Sequence, residues 1–112
     1  MKRLVEFLTL SLKPGARDEF HRLFTEQAYP LQRRWEVDVV DFGPSLHDET
    51  TYYVIRAYES LAERQISQDA YYSSTDWREG PREALIGLIE RNTYAVLELE
   101  DVVIDSLRRA RL

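Results

Sequence analysis

Two histidines, one arginine inside a β-rich run and a high density of tyrosines are the residues of this chain that could do chemistry. His21 and His47 are its only imidazoles, and an imidazole that titrates near neutrality is the commonest general acid or base. His21 follows Phe20 in a helical stretch, about 100° further round the axis, at the edge of the apolar stripe. It is therefore either a half-exposed surface residue or a residue at the rim of a pocket. His47 sits in a polar loop beside Asp48 and Glu49, where it is either a solvated loop residue or a functional one.

Arg56 lies within TTYYVIRAY (50–58). A guanidinium in mid-strand must snorkel, pair with a carboxylate such as Glu6 or Glu98, or bind an anionic ligand group such as a carboxylate or enolate. The ion pair is the first expectation. Gln27 falls near the middle of the same apolar stripe that His21 borders, and a buried amide needs a partner or a hydrated pocket. The tyrosines and tryptophans serve mainly as packing, but Tyr53 and Trp77 would also suit the wall of a pocket for a flat, apolar ligand. The candidate site is thus His21 and His47 as catalytic residues, with Gln27, Tyr53, Arg56 and Trp77 as substrate-binding residues.

Other chemistries find no support. There is no phosphate-binding glycine loop, no dinucleotide fingerprint, no HExxH and no nucleophile elbow. The chain has no cysteine, which removes disulfides, thiolate catalysis and thiolate-bound metal and fits a reducing, cytoplasmic setting. A metal would need carboxylates recruited around two distant histidines, so neither metal nor cofactor is expected. A net charge of −5 leaves no broad basic surface for nucleic acid. No apolar run reaches the roughly 18 residues of a membrane span. The start, Met1-Lys2-Arg3, leads into an alternating strand rather than a signal-peptide core, so the mature chain is expected to begin near Met1.

The elements that must position these residues follow from periodicity. Residues 3–12 alternate Leu4, Leu8, Leu10 and Leu12 against Val5, Phe7, Thr9 and Ser11, with Glu6 intruding on the leucine face. A strand apolar on both faces is covered on both, by helices on one side and by something else, such as a second subunit, on the other. Lys13-Pro14-Gly15 turns the chain into a helix from residue 16, whose stripe is Ala16, Phe20, Leu23, Phe24 and Leu31. Tyr29-Pro30 predicts a kink or break before a short continuation to Arg34. Two further strands, 36–42 and 50–58, flank the polar loop that carries His47. Ser60 and Glu63 have capping-box spacing, so a helix starts at Leu61. Thr75 or Asp76 caps a further turn carrying Trp77. Beyond Gly80-Pro81 a helix over 82–91 is expected to bury Leu85, Ile86, Leu88 and Ile89. A last strand, 93–100, sets Tyr94, Val96 and Glu98 against Ala95, Leu97 and Leu99.

At 112 residues the chain is one domain, here residues 1–100, followed by an amphipathic tail, 101–112. The tail's Val102, Val103, Ile104 and Leu107 should dock on the domain or on a partner subunit, despite its basic Arg108, Arg109 and Arg111. The order β-α-β-β-α-β is the α+β, ferredoxin-like unit with a four-stranded antiparallel sheet.

The strand ending in LKPGARDEFHRLF, the helix closing on AYPLQRR, the strand running into YESLAERQ and the later DW before a helix together resemble the NIPSNAP family of the dimeric α+β barrel superfamily. The resemblance covers about residues 4–99. It implies a homodimer in which two four-stranded sheets face each other as a barrel, with helices outside and a pocket between sheet and helices in each subunit. It carries no catalytic residues over to this chain.

Two functions are consistent with these features. One is a small cofactor-free enzyme of oxygenase, isomerase or cyclase type acting on an aromatic or polyketide-like molecule, with a histidine as base and Arg56 or a tyrosine stabilising negative charge. The other is a non-catalytic homodimer that binds a small apolar or aromatic ligand or a protein partner. The enzyme needs a histidine or acid within hydrogen-bonding reach of the cleft, whereas the binding protein needs only Tyr, Arg and Gln there.

Overall fold

In a computed structural model that describes residues 1–108, strand β1 (Lys2–Leu12) is central because it pairs on both edges. It runs antiparallel to β3 (Thr51–Tyr58) and to β4 (Ile89–Glu100), and β2 (Asp38–Pro44) adds antiparallel to β3. The sheet order is β2-β3-β1-β4. Between β1 and β2 run α1 (Arg17–Leu23), a π-helical segment (Phe24–Ala28) and α2 (Tyr29–Arg34). The second crossover comprises α3 (Leu61–Ser73), α4 (Thr75–Arg78) and α5 (Arg82–Ile86), and α6 (Asp101–Ser106) follows β4. The expected α+β, ferredoxin-like fold is the one observed. Among the described residues no helix is long and apolar enough to cross a membrane.

The alternation of β1 divides the interior in two. Leu4, Leu8, Leu10 and Leu12 join Phe20, Leu23, Tyr71, Trp77 and Leu85 in the main core beneath the helices. Val5 turns to the other face, where it clusters with Val40, Ile55, Ala57 and Ile104. Ile104 is fully buried, so α6 covers part of the face that no crossover helix reaches. Val102 and Val103 of the same helix point outward instead. Leu107 packs partly buried against that cluster. The remaining tail residues, 109–112, with Arg109 and Arg111, lie outside the described residues.

Tyr29-Pro30 does not break the first crossover helix. Pro30 has no N–H to continue the ladder, and the chain widens into the π-segment just before it, the Tyr29 N–H bonding to the Phe24 carbonyl. The wider turn advances the phase. Ala28 and Gln32 become the buried positions, and Gln27 is exposed rather than inward.

The second crossover differs from its expected form at two points. Ser74, not Thr75 or Asp76, caps the turn carrying Trp77, its hydroxyl accepting from the Trp77 N–H at 3.1 Å. Gly80 closes that turn, because a Cβ there would stand 2.3 Å from the Asp76 carbonyl oxygen. The helix after Pro81 ends at Ile86 rather than continuing to residue 91. Its expected continuation pairs with β1 instead: Ile89 is the register partner of Leu12, and Lys13 N–H bonds to the Leu88 carbonyl at 2.9 Å. Sheet hydrogen bonds outweigh helical periodicity there. Ile86 consequently faces solvent, 46% exposed, while Leu85 stays buried. The Ser60 cap is as expected, accepting from the Glu63 N–H at 3.1 Å.

Candidate functional site

A cavity of about 370 Å³ lies between the helical layer and the leucine face of the sheet. Its sheet side is Leu8, Leu10, Val54 and Arg56. Phe24 and Ala28 of the π-segment and Gln32 of α2 form one wall, and Tyr72, Trp77 and Leu85 of the second crossover form another. Phe20, Arg82, Ile86, Ile89, Asn92 and Tyr94 complete the lining. π-Segments recur beside functional sites because the wide turn opens room next to the helix.

The sheet floor is charged. Glu6 and Arg56 are register partners across β1 and β3, and both are buried. Arg56 Nε donates to Glu6 Oε2 at 2.8 Å. The other Glu6 oxygen accepts from Arg64 Nε at 2.8 Å and Gln68 Nε2 at 2.8 Å, and Arg64 Nη2 stands 2.7 Å away. Arg64 and Gln68 are four apart on α3 and so share the face that meets Glu6. Burial alone would raise the Glu6 pKa. The charge of Arg56 and hydrogen bonds from Gln68, Arg64 and Arg56 outweigh that, and Glu6 is held below the ordinary glutamate range.

Arg56 Nη1 donates to the Tyr72 hydroxyl at 2.8 Å. Its Nη2 stands 2.6 Å from Glu6 Oε2 but at an angle too bent for a hydrogen bond, so this buried donor is not well satisfied. Tyr72 and Trp77 pack edge to face at 5.3 Å, and Tyr71 crosses Tyr72 at 4.9 Å. Burial pushes the Tyr71 and Tyr94 phenols up, so both stay protonated at neutral pH. Gln32 stands close enough to oppose that push at Tyr71. Even so, neither Gln32 Oε1 nor the Tyr71 oxygen makes a well-aligned hydrogen bond.

Of the six candidate residues, the structure brings Arg56 and Trp77 together at the cavity. The other four lie elsewhere. His21 is half-buried outside it, its Nδ1 bonded to the Tyr52 hydroxyl at 2.7 Å. His47 stays in its exposed loop, 2.7 Å from Ser45 Oγ and 3.0 Å from Asp48 Oδ2. Gln27 faces solvent through the phase shift described above. Tyr53 is on the opposite sheet face, donating to Asp41 Oδ2 at 2.7 Å. Sequence reasoning missed Gln32, Arg64 and Gln68. The four-residue spacing of Arg64 and Gln68 was a usable signal, since it pairs two long polar side chains on one helical face. Nothing local to Gln32 announced the π-turn that brings it inward.

The family model described as NIPSNAP matches residues 5–99. No protein of curated function matches in sequence. Among solved structures, a NIPSNAP family protein of Agrobacterium tumefaciens str. C58 is similar, with 18% identity, 87% of each chain covered and a TM-score of 0.80. An uncharacterized NIPSNAP domain protein of Burkholderia xenovorans shares 13% identity over 88% of this chain and 95% of its own, with a TM-score of 0.77. A candidate antibiotic biosynthesis monooxygenase of Caulobacter crescentus CB15 shares 16% identity over 88% of this chain and 91% of its own, with a TM-score of 0.67. At these identities the solved structures establish the fold alone. The family match spans most of the chain, and the protein belongs to the NIPSNAP family.

Proposed function

We propose that this protein binds a small, mainly apolar molecule in the cavity above Arg56, and that it does so as a homodimer joined through the opposite sheet face. The observation that carries the reading is the cavity's composition. Aromatic and aliphatic walls surround a buried guanidinium with an ill-satisfied Nη2 and an amide with an unbonded Oε1. Such a lining offers apolar contact plus a few polar groups that orient a ligand. Among the described residues that line it there is neither a histidine nor a carboxylate, and Glu6 beneath the floor is committed to Arg56, Arg64 and Gln68. Residues 1–100 would form the binding domain and residues 101–112 an accessory brace. A cysteine-free chain suits a reducing, cytoplasmic setting.

A cofactor-free enzyme of oxygenase, isomerase or cyclase type is the second reading. It is favoured by the likeness to a candidate antibiotic biosynthesis monooxygenase and by the Tyr72 hydroxyl held on Arg56. That pair could stabilise negative charge developing on a bound oxygen.

Titration with the neutral fluorophore N-phenyl-1-naphthylamine tests the binding reading. Wild-type protein should give a saturable rise in emission, and Ile86→Trp, at the exposed edge of the lining, should weaken it. No saturable signal, or an unchanged affinity in the variant, would overturn the proposal.

A further inference from the structure

The charge of the cavity floor does not balance. Glu6 is the one carboxylate that Arg56 and Arg64 share, and among the described residues no second acid pairs with either guanidinium. Two cations on one anion leave an excess of one positive charge in a cluster whose Glu6 and Arg56 are almost wholly removed from water. Buried charge without a counter-charge is costly, and the Arg64 side chain, 18% exposed, relieves it only in part. Arg64 also lies over the Tyr94 ring at 5.5 Å, one of the cavity's own lining residues.

Of the polar groups that line the cavity, Arg56 belongs to that cluster and Tyr72 is bonded to it. Arg56 Nη2 is buried without a well-aligned acceptor. The Tyr72 hydroxyl accepts from Arg56 Nη1 and keeps its own proton to donate. A second guanidinium, Arg82, lies in the lining, paired with Glu83. A buried, poorly satisfied guanidinium N–H, a phenol hydroxyl, surplus positive charge and aromatic walls describe one complement: a flat apolar body ending in an anionic oxygen group.

We propose that the cavity selects organic anions, aromatic carboxylates or comparably acidic enols and phenols, and that the charge supplied by Arg64 sets this preference through Glu6 and Arg56. Arg64 acts as a positioning residue, because it holds the second Glu6 oxygen and is not itself among the cavity lining. The proposal rests on the cavity being the binding site.

Calorimetric titration with 2-naphthoate and its neutral isostere 2-naphthamide separates the two ideas. Wild-type protein should bind the acid at least about tenfold more tightly than the amide at neutral pH, the scale of one charge-assisted hydrogen bond. Arg64→Met should collapse that ratio, and Arg64→Lys, which keeps the charge, should retain most of it. The ratio is read only on variants whose thermal melts remain cooperative. Equal binding of acid and amide by the wild type would overturn anion selection while leaving the cavity as a binding site. A ratio unchanged in Arg64→Met would remove Arg64 from the explanation. Binding of neither probe would overturn the cavity reading and the anion inference with it.

Discussion

Glu6 and Arg56 are direct partners in the β1–β3 register, and their side chains repeat the backbone pairing, Arg56 Nε donating to Glu6 Oε2 at 2.8 Å with both residues at or below 1% exposure. The pair sits at the boundary between the sheet and the cavity. It therefore serves the fold and shapes the site at once.

Breaking one half of this pair is far more damaging than removing both. Glu6→Gln leaves two guanidiniums beside a neutral amide and is expected to cost about 3–5 kcal/mol. Glu6→Leu combined with Arg56→Met replaces the pair by apolar groups of similar size and should lose less than either single change. Urea denaturation of Glu6→Gln, Glu6→Leu, Arg56→Met and the double variant gives the comparison. A double variant less stable than both singles would mean that the pair contributes net stability.

Acid should unfold the protein through the same residue. The folded-state pKa of Glu6 lies below its ordinary value, so its contribution is full above the usual carboxylate range and is lost as pH falls through the folded value. Asp38 has the same sign: burial raises it, but bonds from Arg108 and Arg3 more than offset that. Thermal midpoints should hold steady from neutrality to about pH 5 and fall steeply below. Glu6→Gln should flatten that acid limb. An equally steep limb in the variant would move the pH dependence to other groups.

The strands were legible in the sequence because one residue type in two marks a face. The leucines of β1, Glu6 among them and the opposed Val5 all lie where alternation put them. An ion pair at Arg56 was legible too, since a mid-strand guanidinium favours a nearby carboxylate, but the choice of Glu6 over Glu98 comes from the strand register. Helical positions were legible only where the period stayed near 3.6. The π-segment before Pro30 advances the phase, exchanging Gln27 for Ala28 and Gln32. The end of α5 was hidden because Leu88 and Ile89 fit a helical stripe as well as a strand, and only pairing with Leu12 and Lys13 decides. The remoteness of His21 and His47 from the cavity is likewise tertiary information.

Helix α6 is expected to stabilise the domain through one residue. Ile104 is fully buried against Val5, Val40, Ile55 and Ala57, so Ile104→Ala should cost about 2–4 kcal/mol. Val102, 74% exposed on the same helix, gives the control: Val102→Ala should change stability by no more than about 0.5 kcal/mol. Chemical denaturation distinguishes them. Equal effects would show that α6 is not docked in solution.

The outer sheet face predicts the oligomeric state. Leu97 pairs in register with Val5 and Ala95 with Phe7, so these residues share the face opposite the cavity. Leu97 is 41% exposed. Phe7, Tyr53 and Leu99 are only partly covered around the buried Val5, Ile55 and Ala57. Helix α6 reaches only part of this surface, and a contiguous apolar face beside a long edge strand favours association. A second copy would meet it with the same residues, as a two-fold interface requires. Sedimentation equilibrium should therefore report twice the chain mass. Leu97→Arg should shift the protein toward monomer, because it places a charge on this apolar face. Ile66→Arg, on the exposed surface of α3, should leave the dimer intact. A wild-type protein that sediments as a single chain would show that α6 alone is sufficient cover for this face.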